Sequence, residues 1–325
     1  MLLEQYKKKC GKFWRKTLTK LRDTPLPPAT EEETQLVDQL RDEAAKWLQR
    51  PEYSADRHQP EWVRNVRTLG QDIQNRDPRE FLRWHVVTSA MFAKYGAYVD
   101  HEFRSLKRRR DWESRWATAL TESHVGHPIP YYRYPGSSPN QIHQAYHLAQ
   151  FETATGDDIC RSDVVFEFGG GYGCMCRLVH NLGFKGRYVI FDLPGFTQLQ
   201  RFYLRCCGLP VISDDRPAPD RKGIFCTCDI EQLRKVLRDW HAENSKTFIA
   251  TWSISEAPKP IRQEILPLVA DFTGFLIAYQ DQFEGIDNIE FFSQWKAQVN
   301  HIEWHAHKTS HLPGGNYLLG GKNRR

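Results

Sequence analysis

The stretch that most constrains this chain is Asp163-Val-Val-Phe-Glu-Phe-Gly-Gly-Gly-Tyr-Gly173. Its first half is a short apolar run rich in β-branched and aromatic residues, the pattern of a buried strand. Its second half puts glycine at 169, 170, 171 and 173, after which residues 174–180 resume at helical spacing. Strand, glycine turn and helix form the first unit of a parallel α/β sheet. Glycine lets the backbone turn at positive φ and lets a ligand approach without Cβ atoms in the way.

The same alternation continues to the C-terminus. Strands are expected over 164–168, 188–191, 223–227, 247–252 and 274–279, followed in turn by helices over 174–182, 196–207, 230–241, 260–272 and 290–299. Two further strands, 301–307 and 315–320, have too short a link for a crossover and so form a hairpin. The expected fold class is α/β, a Rossmann-like seven-stranded, mostly parallel sheet with a C-terminal antiparallel hairpin, plus a helical N-terminal region. The expected division is 1–120 helical, 121–155 a lid or linker with a helix, and 156–325 the sheet domain.

Asp192 ends the second strand, 19 positions after Gly173. An acid about 20 residues past a glycine turn sits where it accepts hydrogen bonds from ribose hydroxyls. The plainer alternative is a tight turn followed by a surface aspartate. The loop departs from the Gly-x-Gly-x-x-Gly spacing that receives a pyrophosphate on a helix N-terminus, and Glu167 just ahead of it is poorly placed for a diphosphate. No Gly-Lys-Ser/Thr loop is present, which disfavours ATP hydrolysis.

A chain of 325 residues that is 40% hydrophobic can bury a sizeable core. A net charge of +5 permits acidic ligands without demanding nucleic acid. No apolar run reaches the length of a membrane span and no secretory signal is visible. The eight cysteines include no Cys-x-x-Cys pair, so reduced thiols in a cytoplasmic protein are expected and no metal site is assigned.

Residues 1–30 are basic and end in Pro25-Leu-Pro-Pro28. Thr30 and Glu33 have capping-box spacing ahead of an apolar stripe at Val37, Leu40, Ala44 and Trp47. Helical stretches continue over 62–69 and 81–98. Lys107-Arg-Arg-Arg110 beside Trp112 and Trp116 fits either a polyanion site or, preferred here, a solvated helix face with the tryptophans turned inward. Residues 124–140, rich in Pro, Gly, Tyr and His, are a lid or a packed linker ahead of a helix over 141–151.

Glu167-Phe-Gly-Gly-Gly-Tyr-Gly173 resembles the first motif of class I S-adenosylmethionine methyltransferases. The resemblance implies that Glu167, Gly169, Gly170, Gly171, Tyr172, Gly173 and Asp192 hold that cofactor. It also implies that Asp229, after the third strand, reaches the adenine; a helix N-cap is the equal alternative. After the fourth strand, Trp252 is placed to flank the sulfonium, and Glu256 to orient or deprotonate a hydroxyl or simply to support the next helix. His305 and His307 share a strand face, and His311 follows. Each is a candidate base for alcohol deprotonation, with a divalent metal held by the histidines and nearby acids as an open alternative.

Three more segments, Phe248 to Pro258, Tyr279 to Asn288 and His311 to Gly320, resemble motifs of the sugar O-methyltransferase family. That resemblance spans roughly residues 120–322. It implies methyl transfer to a sugar hydroxyl of a glycan or glycosylated metabolite, with a small-molecule or glycan acceptor and self-association left open. A nucleic-acid methyltransferase with a basic clamp is the first rival, weakened because no Asp/Asn-Pro-Pro-Tyr motif follows the fourth strand. A non-catalytic Rossmann-like module is the second.

Overall fold

The computed structural model describes residues 14–50, 61–90, 98–212, 221–240 and 243–322. The start of the basic N-terminal stretch with Cys10, residues 91–97 of the helix expected over 81–98, and His241 lie outside them. The chain divides into two compact units, Met1–Ala145 and Tyr146–Arg325.

The first unit is helical. Helix Glu31–Leu48 opens with a complete capping box, in which Thr30 Oγ1 accepts from Glu33 N and Glu33 Oε2 accepts from Thr30 N, each at 3.1 Å. Its buried stripe of Val37, Leu40, Ala44 and Trp47 packs on helix Glu61–Asn75, where Gly70 leaves room for the Trp47 ring. Thr30→Ala is expected to cost about 1 kcal/mol, read as a lower urea midpoint. Helix Tyr98–Lys107 leads into a π-helical turn, Trp112–Trp116. Both tryptophans are buried, and the guanidinium carbons of Arg109 and Arg115 each lie 5.2 Å from the Trp116 ring centre. The tryptophans therefore face inward, as the solvated-face reading requires. The aromatic loop is fastened within this unit, since the hydroxyls of Tyr131 and Tyr132 both donate to Asp100.

The second unit holds β1 Val164–Phe168, β2 Arg187–Phe191, β3 Gly223–Thr227, β4 Lys246–Thr251, β5 Gly274–Gln280, β6 Ile302–Lys308 and β7 Gly315–Lys322. They form one sheet in the order β3-β2-β1-β4-β5-β7-β6. The first five are parallel, while β7 runs antiparallel to both β5 and β6. The expected sheet, with its C-terminal antiparallel pair, is present. Reversal of strand order at β1 and β4 opens a crevice beyond their carboxyl ends, where ligands of such sheets bind.

On one face, Phe166, Phe248 and Phe275 line up across β1, β4 and β5 within a core completed by Leu233, Trp240 and Trp295. The opposite face carries Glu167, Tyr188 and, near β7, helix Pro139–Thr155 from Tyr146 onward. One helix differs from expectation. The helix expected over 260–272 is Lys259–Ile265 followed by a 3-10 turn, Leu266–Val269, because Pro267 lacks the N–H that would continue an α-helix.

The amide-rich segment after β5 is largely spent on the fold. Asn288 Nδ2 donates to the Gln280 carbonyl, Asp281 accepts from Asn316 Nδ2, and the fully buried Arg262 donates to Asn288 Oδ1 and the Ala257 carbonyl. Burial of these polar groups is tolerated because each is matched. They brace the segment that follows β4.

Candidate active site

The glycine turn leaves β1 between the ends of β2 and β4. Gly169 has φ +70°, and a Cβ there would lie 2.3 Å from Ser253 Cβ, so glycine is demanded by both backbone and space. Ser253 Oγ in turn donates to the Phe168 carbonyl, fastening the turn after β4 to the turn after β1. Gly171 is different. Its φ is +59°, yet a Cβ built on it meets no protein atom within 4 Å. It borders an opening. Gly170 covers Ile190 and Glu167, Gly173 is the N-cap of helix Cys174–Asn181, and Tyr172 is buried edge-on against Tyr203. Tyr172 therefore offers the opening only backbone.

Asp192 organises this loop. Its Oδ2 accepts from Gly171 N and Gln200 Nε2, both at 2.9 Å, and its Oδ1 accepts from Leu193 N at 2.7 Å. Gln200 also donates to the Gly171 carbonyl at 2.9 Å, so both backbone polar groups of Gly171 are held. A carboxylate has about four acceptor directions, and three are used here. Burial pushes the Asp192 carboxyl up to about 7, against the opposing pull of these three N–H donors.

Glu167 lies beneath the loop. It is 3% exposed, its Cα neighbours across the sheet are Ile190 and Ile249, and its Oε2 accepts from the Tyr188 hydroxyl at 2.8 Å. Burial, with a smaller contribution from Asp192, pushes its carboxyl up to about 8. Glu167 supports the loop from below, its carboxyl lying against Gly170.

At the end of β4, Trp252 adopts φ +71°, ψ −38°, unusual for a side chain of that size. Such a conformation costs on the order of 1–3 kcal/mol and is held by its surroundings. Here Trp252 N donates to the Ala278 carbonyl at 2.7 Å, and the Trp252 ring lies 6.1 Å from the His147 ring. His147 is fully buried, with Nδ1 2.5 Å from the Tyr317 hydroxyl. The ring of His307 packs on Tyr317 at 5.4 Å, and His311 meets Tyr146 edge-on at 5.1 Å. Tyr317→Phe is expected to lower stability by about 1–3 kcal/mol through loss of the His147 bond, measurable as a shift in the urea midpoint.

The structure thus gathers Trp252 and His307 around Tyr317 at the carboxyl edge of the sheet, with Ser253 tied to the glycine turn. His305 pairs with Leu319, further from that edge on the same face as His307. His307 is held below the usual imidazole value by desolvation and by His305 beside it. Glu256 is exposed and receives a hydrogen bond from Gln280 Nε2 at 3.3 Å. Asp229 is an exposed helix N-cap, accepting from Glu231 N and Gln232 N. Sequence reasoning missed Gln200, His147 and Tyr317. Among the described residues, no group of three or more His, Cys, Asp or Glu side chains is arranged to hold a metal ion, and no helix is long and apolar enough to cross a membrane.

No family model matches the chain, and no curated protein matches it. Several solved structures do. The precorrin-6y C5,15-methyltransferase of Geobacter metallireducens is 12% identical, over 57% of this chain and 89% of its own, with a TM-score of 0.37. The N-terminal domain of EvdMO1, solved in the presence of SAH and D-fucose, is 10% identical over 70% of this chain and 100% of its own, with a TM-score of 0.38. The mitomycin 7-O-methyltransferase MmcR is 10% identical over 82% and 76%, with a TM-score of 0.36. Likeness at this level carries nothing about activity or substrate.

Proposed function

We propose that the chain is an S-adenosylmethionine-dependent O-methyltransferase acting on a sugar hydroxyl. The observation that carries this reading is the opening at Gly171, bordered by a turn whose backbone is fixed by Asp192 and Gln200. Backbone of Gly169 to Gly171 would receive the amino-acid and ribose end of the cofactor. The fourth acceptor direction of Asp192 would take a ribose hydroxyl. Glu167 and Gly173 act through the loop, one from below and one as the helix cap. The bound cofactor supplies a methyl group activated by its sulfonium.

The residues themselves supply position, exclusion of water and a proton acceptor. Trp252, anchored beside the glycine turn, offers an aromatic face to positive charge. A sugar hydroxyl must lose its proton to become a good nucleophile. His307 is the best placed of the four acid–base candidates, because it lies at the carboxyl edge and its lowered pKa keeps the ring neutral near pH 7. The sugar itself rests on the three motif resemblances.

The test is calorimetric titration with S-adenosylhomocysteine, with and without magnesium, followed by labelled methyl transfer to a panel of sugar acceptors. Micromolar binding that magnesium leaves unchanged, with transfer lost in His307→Ala, is the expected outcome. Absence of binding in both conditions defeats the reading. Transfer to RNA or DNA in place of sugars would replace it with the nucleic-acid rival.

A further inference from the structure

We propose that the first unit carries a separate site for a nucleoside diphosphate, formed by a basic cleft. Lysine and arginine outnumber aspartate and glutamate in residues 1–145 but not in 146–325, so the chain's excess of positive charge resides in this unit. Within it a cleft of about 680 Å³ is lined by Arg22, Arg104, Lys107, Arg108 and Arg133. These cations converge from three segments: the helical residues 14–21 and the turn after them, the end of helix Tyr98–Lys107, and the loop at 131–134.

Like charges gathered in one cleft repel one another. Among the described residues, Arg22, Arg104, Lys107 and Arg108 have no carboxylate partner. Asp100 lies 3.6 Å from Arg133 Nε, and its oxygens already accept the Tyr131 and Tyr132 hydroxyls. The guanidinium groups are also oriented. Arg22 Nη1 donates to the Tyr132 carbonyl, Arg104 Nε donates to the Asp100 carbonyl at 2.9 Å, and Arg133 Nε donates to the Tyr132 hydroxyl at 2.7 Å. Each arginine keeps further N–H donors, and the planar guanidinium matches phosphate oxygens in pairs.

Size and wall chemistry select the ligand. The volume falls within the range of small-molecule sites, roughly 300–1,000 Å³. Leu18, Phe103 and Tyr132 add an apolar wall, with Lys107 Nζ 5.8 Å from the Phe103 ring centre. A phosphate-rich head with an organic body uses both parts of the cleft. A nucleic-acid strand would need a track of cations and repeated stacking platforms. Here the cations surround one concavity.

The experiment titrates the full chain with UDP, inorganic pyrophosphate and a twelve-residue oligothymidylate, with S-adenosylhomocysteine affinity measured on the same preparations. UDP is expected to bind at micromolar Kd, more tightly than pyrophosphate. Combined Arg104→Gln and Arg108→Gln substitution should weaken UDP at least tenfold and leave S-adenosylhomocysteine affinity unchanged. Both side chains are exposed, so folding should survive; Lys107→Gln alone serves if the double substitution lowers the unfolding midpoint. UDP affinity indifferent to these changes overturns the site, as does UDP binding no tighter than millimolar. Pyrophosphate binding as tightly as UDP overturns the role of the apolar wall. Tighter, steeply salt-dependent oligothymidylate binding replaces the nucleotide with a polymer.

Discussion

In Gly171→Val, affinity for S-adenosylhomocysteine is expected to fall at least ~100-fold while the thermal midpoint drops by only a few degrees. The two effects separate because a Cβ at 171 meets no protein atom within 4 Å. The folded chain bears only the cost of a left-handed backbone at φ +59°, roughly 1–2 kcal/mol, somewhat more for a β-branched residue. The new isopropyl group instead occupies the opening where the proposed cofactor would lie. Gly169→Ala makes the contrast. Its methyl would fall 2.3 Å from Ser253 Cβ, so it should damage folding itself and displace the turn after β4. Calorimetry and thermal unfolding on both variants decide the matter. Unchanged affinity in Gly171→Val removes the glycine turn as the cofactor site.

These two glycines also mark how far the sequence can be read. The strand, turn and helix around them are local, and local periodicity specifies them. So is the capping box at Thr30 and Glu33, which forms as its spacing predicts. Which glycine borders the opening depends on Ser253, a residue of the turn after β4, and is invisible locally. Glu167 shows the same limit. Its position before the turn is plain in the sequence, but strand register decides that its carboxyl points at Tyr188 beneath the loop. Asp192 was legible as the acid at the end of β2, whereas its partner Gln200 sits in the middle of a helix with no distinguishing pattern. The His147–Tyr317 bond joins residues 170 apart in sequence, and only the insertion of β7 between β5 and β6 brings them together. Tyr279 to Asn288, after β5, is one of the three segments that resemble sugar O-methyltransferase motifs. In the structure Asp281, Asn288 and Gln280 hydrogen-bond mostly within the fold, a use of these side chains that the motif does not reveal.

The carboxyl pair beneath the glycine turn makes stability and affinity respond to pH in opposite directions. Burial raises Glu167 to about 8 and Asp192 to about 7, well above the values near 4 of an unfolded chain. A carboxyl raised in this way binds its proton more tightly in the folded state. Its contribution to stability is complete below the unfolded value and is lost as pH rises through the folded value. The unfolding free energy from urea titrations should therefore decline between pH 5 and pH 8.5, by an amount on the order of a few kcal/mol. Glu167→Gln, which keeps a neutral group over Tyr188, should flatten the upper part of that decline. A ribose hydroxyl donating to Asp192 favours the ionised form instead, so S-adenosylhomocysteine affinity should rise as pH passes through about 7. Asp192→Asn should abolish that rise and weaken binding at every pH, because an amide cannot accept from the N–H donors of Gly171, Leu193 and Gln200 together. Stability that stays level from pH 5 to 8.5 would mean that both carboxyls are already charged in the folded chain at pH 5. Affinity that is flat across pH 7 would mean that Asp192 braces the loop without meeting the ligand.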